Sequence, residues 1–408
     1  MGLKFPIFMD AQSTTPCDPR VVEAMLPYFT EKFGHPASRN HPFGWEAEGA
    51  VDAARGKIAT LIGARDPKEL VFTSGGTEAI NLALKGAAEM YKEKGNHIVT
   101  TVIEQRASID TLKRLERQGF QVTYVPVQPD GLIDVEEIRK ALTDKTILIS
   151  VMFANNEIGT IQDVTGIGKL AKGKGILFHT DATQAVGKIP VDVEAMGIDL
   201  LSCTAHLIYG PKGVGALYVR RKGPRVRIAP MMDGGGHERG MRSGTLPVPL
   251  IVGFGTAAEI AREEMAAEGA RLAKLRDRLQ DMILSSVEEA FLNGRPDRRL
   301  PQNLNISFAY VEGESVLMGL NRETALSSGS ACTSSTLEPS YVIAALGASA
   351  ELAHSSIRFS LHRFTTAEEV EYVGQRTIEV IKRLREMSPL YELAKEGVDI
   401  KTIKWKAE

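Results

Sequence analysis

Polar residues able to hold charge or move protons recur along this chain at one kind of place, directly after a short apolar run. Gly75, Gly76 and Thr77 follow LVFTS, Glu104 and Gln105 follow HIVTTVI, and Asn155, Asn156 and Glu157 follow ILISVMFA. Asp181 and Gln184 come after ILFHT, and Thr204 and His206 after DLLSC. Backbone N–H groups beside glycines and a threonine hydroxyl, where a helix pattern starts, make an anion site suited to a phosphate. The same Ser-Gly-Gly-Thr stretch also reads as an ordinary strand-to-helix turn with a threonine cap. Further on, GGGHERGMRSGT (Gly234 to Thr245) combines glycines with two arginines, which suits anion contact and equally an exposed mobile loop. TALSSGSACTSSTLEPS surrounds Cys332 with small polar residues, favouring an exposed, reactive thiolate over an inert buried thiol.

The apolar runs themselves predict the scaffold. HIVTTV (97–102), QVTYVPV (121–127), ILISVMFA (147–154), ILFHTDA (176–182), DLLSCTA (199–205) and GALYVRR (215–221) alternate with helical stretches. Near-continuous apolar strands between helices predict an α/β fold whose mainly parallel sheet is covered on both faces. Ligands of such sheets bind beyond the carboxyl ends of the strands, where the polar residues fall. Helices are expected over Arg20 to Phe33, opened by Asp18-Pro19, over Gly44 to Ile62, and over 248–264 and 266–292. A composition shift around Glu259 to Glu268 divides a large domain (15–262) from a smaller α+β domain (1–14 and 263–408).

The 408 residues suffice for a large α/β domain with a companion. Apolar content of 43% and charged content of 25% are those of a soluble globular protein. A net charge of −2 carries no basic surplus for nucleic acid or an anionic membrane. No apolar run approaches the length of about 18 residues that a membrane span needs. MGLKFPIFMD lacks a basic-then-apolar signal pattern, and Pro6 stands where myristoylation wants Ser or Thr. Cys17, Cys203 and Cys332 are too few and scattered for a disulfide or zinc framework, so a reducing compartment is expected. No internal repeat or low-complexity tract interrupts the chain.

SCTAHLIYGPKG (Ser202 to Gly213) resembles the cofactor-lysine segment of the cysteine desulfurases of the IscS/NifS type, pyridoxal-phosphate enzymes of iron–sulfur cluster assembly within the class V aminotransferase family. The resemblance runs in order from Ile7 to Lys406, through STTPCDPR, FTSGGTEAINLA, VMFANNEIGTIQD, FHTDATQAVGK, GGGHERGMRSGTLP, SSGSACTS, LEPSYV and ELAHSSIRFSL. It implies the pyridoxal-phosphate fold type I, with a seven-stranded large-domain sheet and a homodimer whose active sites lie at the subunit interface. Gly76, Thr77, Thr204 and His206 would hold the cofactor phosphate, and Thr245 would reach in from the neighbouring subunit. Asp181 would pair with the pyridine nitrogen, and Gln184 and Asn156 with the phenolic oxygen, Asn156 also lying beside substrate. Arg358 would clamp the L-cysteine carboxylate, and Cys332 would take the sulfur as a persulfide, leaving L-alanine. The C-terminal tail, SPLYELAKEGVDIKTIKWKAE, matches the stretch that helps dock the iron–sulfur scaffold protein. The implied location is the cytoplasm, or the mitochondrial matrix in a eukaryote.

Several positions depart from that pattern. Leu207 stands where the family has the lysine that binds the cofactor as a Schiff base, and Gln105 where it has a ring-stacking histidine. His35, Gly76, Ile80, Met231, Asp233 and His362 also differ from the family's usual residues. Leucine has no amine, and glutamine cannot titrate near neutral pH. Pyridoxal phosphate could then bind only non-covalently, and desulfuration by this chain is expected to be impaired or absent. The alternative is a non-catalytic homologue that binds the scaffold, carries a persulfide, ligates a cluster through Cys332, or pairs with an active paralogue as a heterodimer. A third reading is lysine-independent chemistry on another amine or carbonyl substrate. No resident metal is expected.

Overall fold

The computed structural model describes residues 2–328 and 339–396. It divides into two compact units: Gln12–Gly269 with Arg295–Leu300, and a second formed by the first residues to Ala11, by Ala270–Gly294 and by the chain from Pro301 onward. The division thus falls at Gln12 and Gly269 rather than at 15 and 262, and the 295–300 stretch returns to the larger unit.

Seven strands build the sheet of the larger unit: β1 (Leu70–Thr73), β2 (His97–Thr101), β3 (Gln121–Val125), β4 (Thr146–Ser150), β5 (Leu177–Asp181), β6 (Leu200–Thr204) and β7 (Gly215–Val219). Their order is β1-β7-β6-β5-β4-β2-β3. All neighbours run parallel except β7, which is antiparallel to both β1 and β6. Apolar residues alternate between two cores. Leu70, Phe72, Leu201 and Tyr218 pack on one face, and Val71, Leu200 and Leu217 on the other. Burial of both faces is why most of these strands read as largely apolar runs; the edge strand β3 is only partly buried.

Helices cover both faces. α1 (Pro19–Met25) and α2 (Pro27–Thr30) replace the single helix expected over Arg20 to Phe33, because Pro27 has no N–H for the ladder and starts a new helix at its first position. α3 (Pro42–Leu61) begins before Gly44, capped by the His41 imidazole accepting from the Gly44 N–H at 3.2 Å. α4 (Gly76–Tyr91) and α5 (Arg106–Glu116) lie on one face, with Ile80 of α4 fully buried in the core there. α6 (Val135–Ala141) and α7 (Val164–Lys174) contribute Ile138, Ile167 and Ala171 to the opposite core. α8 (Val248–Ser286) is one continuous helix where two had been expected. The composition shift within it contains no proline, and an interior glycine such as Gly269 only weakens a helix. The expected second helix ends early, and Ala290–Leu292 is instead a strand paired antiparallel with Asn303–Phe308.

The smaller unit has a four-stranded antiparallel sheet in the order Ser327–Ser328, Ser356–Ser360, Asn303–Phe308, Ala290–Leu292. A short parallel pair joins Ile7–Phe8 to Thr324–Ala325, so the N-terminal segment packs in this unit, apart from the larger core. Helix Ala367–Glu386 covers the sheet and starts with a reciprocal capping box between Thr366 and Glu369. Cys332 and the tail beyond residue 396 lie outside the described residues. Among the described residues, no helix is long and apolar enough to cross a membrane.

Candidate active site

β1 delivers the chain to the start of α4. The Thr73 hydroxyl donates to the Gly75 carbonyl at 3.0 Å, and Gly75 is the N-cap, with no side-chain cap on the helix. Space beside Gly75 is open, whereas a Cβ on Gly76 would come within 2.7 Å of the Thr183 methyl and 3.8 Å of Thr204 Cβ. Glycine at 76 therefore lets the helix start approach the turn after β5 and the end of β6 together. The uncapped first-turn N–H groups and the exposed Thr77 form a donor set for an anion, and the nearby Thr204 hydroxyl donates to the Val214 carbonyl at 3.4 Å. Glu78 in the same turn accepts from the Ser74 N–H at 2.6 Å and is ion-paired with Arg242 at 2.8 Å.

The turns after β2 and β4 interlock. Glu104, fully buried, accepts from the Thr101 hydroxyl at 2.7 Å and from the Met152 N–H at 3.0 Å. Asn155 donates to the Ile103 carbonyl at 2.9 Å and accepts from the N–H groups of Glu157 and Ile158. Asn155 is thus a structural clamp, and Asn156 beside it is half-buried. Gln105, the N-cap of α5, does not cap that helix with its side chain but donates from Nε2 to Asp181 Oδ2.

Asp181 ends β5, and its Oδ1 accepts from the Thr183 N–H at 3.0 Å. Burial pushes its carboxyl upward, against the bonds from Thr183 and Gln105. Gln184, also buried, donates to the Gln12 carbonyl at 3.0 Å. β6 ends at Thr204 and turns at once through a 3₁₀ segment, Ala205–Leu207. The His206 carbonyl accepts from both the N–H and the hydroxyl of Thr15 at 2.9 Å, and its Nδ1 lies 3.3 Å from the Thr14 hydroxyl. Burial, and then the Lys212 charge, depress His206, which keeps the imidazole neutral at neutral pH. Leu207 is 6% exposed, while Lys212 in the following turn points to solvent.

The larger unit therefore gathers the expected Gly76, Gln105, Asp181, Gln184, Thr204 and His206 at the carboxyl ends of its strands. Reading the sequence by strand ends missed Thr183, which joins Gly76 to Asp181, and the Gln12–Thr15 segment, which ties Gln184 to His206. The STTP run just before α1 was the available signal for the latter. Thr245 is exposed, with its hydroxyl 3.4 Å from His35 Nε2. Arg358 belongs to the smaller unit, where it is 3% exposed and donates to Asp10 Oδ1 at 2.7 Å. The two arginines of the glycine-rich loop are engaged within the chain, Arg239 with the Leu70 carbonyl and Arg242 with Glu78. No group of three or more His, Cys, Asp or Glu suited to a metal occurs among the described residues.

The buried Glu104 makes a pH prediction. Burial raises its pKa to about 8, with the Met152 and Thr101 bonds opposing and Asp181 adding to the rise. Its folded pKa lies above the ordinary value of about 4.3. Its stabilisation is thus complete below that value and is lost as pH rises through about 8. Glu104→Gln keeps an acceptor and carries no charge. Its melting temperature should fall less over this range and exceed that of the parent by a few degrees above pH 8. Parallel melting profiles for the two proteins would exclude the buried carboxyl as the cause.

Comparison with known proteins accords with this architecture. The aminotransferase class-V model matches residues 7–373. Cysteine desulfurase IscS of Edwardsiella ictaluri (strain 93-146) is 58% identical over 407 residues, covering 99% of this chain and 100% of the relative. Among solved structures, a NifS-like protein superposes with a TM-score of 0.85 at 38% identity, over 93% of this chain and all of the other. A structure described as SspA in complex with cysteine gives a TM-score of 0.76 at 35% identity, over 88% of this chain and all of the other. With the sheet order and the end-to-end likeness to the IscS relative in agreement, the chain belongs to the IscS-type cysteine desulfurase family of class-V aminotransferases.

Proposed function

We propose that this protein serves iron–sulfur cluster assembly with a pocket that holds pyridoxal phosphate without a covalent bond, and that its own conversion of L-cysteine to L-alanine is slow or absent. The observation that carries the reading is Leu207, a buried leucine directly after His206.

The donor set fits most of the group. The uncapped start of α4 with Gly76 and Thr77, together with Thr204 and His206, suits the phosphate. Asp181 is a buried carboxylate suited to a protonated ring nitrogen, and Gln184 and Asn156 are amides suited to the phenolic oxygen. When bound, pyridoxal phosphate supplies an electron sink for carbanion chemistry. Leu207 offers no amine to anchor it or to hold the substrate α-proton, and Gln105 cannot take that proton near neutral pH. Loss of one general acid–base group costs about 10²–10⁴-fold in rate. Cys332 would carry sulfur as a persulfide to a scaffold protein.

Leu207 and the engagement of Asp181 by Gln105 also favour the second reading, a non-catalytic member that binds the scaffold, ligates a cluster, carries persulfide or partners an active paralogue. Dimer formation is part of both readings. Leu26, Phe29, Phe33, Phe43 and Trp45 are each more than half exposed, and the Phe33 and Phe43 rings stack at 5.4 Å. An aromatic surface of this kind suits a second copy or a paralogue.

The test mixes the purified protein with pyridoxal phosphate and L-cysteine, following the visible spectrum, alanine and sulfide, with Cys332→Ala separating protein chemistry from that of the free cofactor. Saturable cofactor binding is expected, with little alanine above the control and twice the chain mass by light scattering. Cys332-dependent turnover as fast as that of an assayed lysine-bearing relative would overturn the impaired reading.

A further inference from the structure

We propose that Gln105 is a gate on Asp181: its amide occupies the carboxylate oxygen that a ligand's ring nitrogen must reach, so the pocket fills only when Gln105 swings away. The inference rests on reading this pocket as one for pyridoxal phosphate, and adds to it a residue that controls entry.

Asp181 has two oxygens and both are engaged by the chain itself. Oδ1 is held by the Thr183 backbone N–H at 3.0 Å, a bond that cannot be released without moving the turn between Asp181 and Gln184. Oδ2 is held by Gln105 Nε2, a side-chain donor. The residue is 3% exposed, so little of the carboxylate meets solvent, and a ring nitrogen bound for Oδ2 has to compete with the Gln105 amide. A buried carboxylate left without donors is costly, which gives the Gln105–Asp181 contact its stability.

Gln105 is also built to move as a side chain and not as a backbone. It sits at the N-cap of α5, where short Ser, Thr, Asp or Asn side chains usually bond the helix start, yet its side chain makes no cap bond. Its carbonyl accepts from the N–H groups of Ser108 and Ile109, at 3.0 and 3.1 Å. The preceding residue is pinned by the Thr101 and Met152 bonds to Glu104, and Ile103 is held by Asn155. The backbone of the turn is thus held from three sides. The glutamine's three rotatable bonds let its amide leave Asp181 while that backbone stays in place.

A closed fraction lowers apparent affinity in proportion to the open population. A hydrogen bond to a charged group contributes about 1.5–3 kcal/mol, so removing the donor should tighten ligand binding about tenfold or more. Gln105→Met keeps length and bulk but has no donor, and Gln105→Ala removes both. Titration of the full-length protein with pyridoxal phosphate, read by difference absorbance, should show both variants binding at least about tenfold more tightly than the parent. Inorganic phosphate, whose proposed partners include neither Asp181 nor Gln105, should bind all three alike. In an Asp181→Asn background the gain should vanish. Unchanged or weaker binding by Gln105→Met would overturn the gate and make Gln105 a holding residue. A gain that survives Asp181→Asn would overturn it too. If neither pyridoxal phosphate nor phosphate binds any form, the cofactor reading itself fails and the gate falls with it. If phosphate binds all forms alike but pyridoxal phosphate gains nothing, the gate alone fails.

Discussion

Leu207→Lys is expected to convert a cofactor that exchanges freely into one that survives dialysis, and to raise Cys332-dependent alanine formation about 10²–10⁴-fold. Position 207 is 6% exposed and ends a 3₁₀ turn whose His206 carbonyl is held twice by Thr15. A lysine there would have its ammonium disfavoured by burial, leaving a neutral amine able to bond covalently to the cofactor and then to act as a base. Without ligand the same burial is a cost, so the variant should melt below the parent and recover when pyridoxal phosphate is added. Gln105 would remain, so turnover should rise again on adding Gln105→His. The measurements are absorbance after dialysis and alanine release. A folded Leu207→Lys protein that retains no cofactor would show that position 207 does not face the bound group, and the proposed cause of impairment would be wrong.

Glu238→Ala should lower unfolding stability by about 3–5 kcal/mol, because it takes from the buried Arg55 guanidinium its bidentate partner and leaves it the exposed Asp52 at 3.8 Å as charge partner. The Arg55 and Glu238 side chains are 7% and 2% exposed and meet through two parallel bonds of 2.7 Å. Glu238 also accepts from the Phe72 N–H at 2.7 Å, while Arg55 donates to the Leu70 carbonyl at 2.9 Å and lies over the Phe72 ring. The pair therefore fastens the glycine-rich loop to β1. It also holds Glu238 and Arg239 at φ of 49° and 60°, a backbone region that non-glycine residues rarely adopt. Hydrogen exchange should quicken from Gly234 to Thr245 in the variant, and denaturant titration should give the stability loss. Replacing both partners, as Arg55→Met with Glu238→Met, should cost less than either single change to alanine. A loss below about 1 kcal/mol for Glu238→Ala would mean the pair is not desolvated as described.

This loop shows where reading by composition stops. Glycines and two arginines at 234–245 were equally compatible with anion contact and with a mobile strap. Which of these applies depends on Arg55, in a helix 183 residues earlier in the chain, and on Glu78 beneath Arg242. The single α8 was hidden for a related reason. A composition shift marks where one unit gives way to the other, but a helix ends only where its backbone loses partners or meets a breaker. The break between α1 and α2, by contrast, was available in Pro27, whose missing N–H any reading of the chain could have used.

The sequence by itself determined the larger unit's mainly parallel sheet and where along it a candidate site falls. Strands buried on both faces are largely apolar, so the polar clusters that follow such runs fall beyond their carboxyl ends, and parallel order puts those ends on one edge. Gly76, Gln105, Asp181, Gln184, Thr204 and His206 could be named on that ground, and Leu207 stood out beside them as a leucine where the resemblance calls for an amine. Only the tertiary structure decided how those groups satisfy one another. Gln105 meets Asp181 across 76 residues, Gln184 meets Gln12 across 172, and the Gly76 start of α4 fits against Thr183. Such pairings follow from strand order and side-chain direction at close range, and a linear pattern of polar and apolar residues specifies neither.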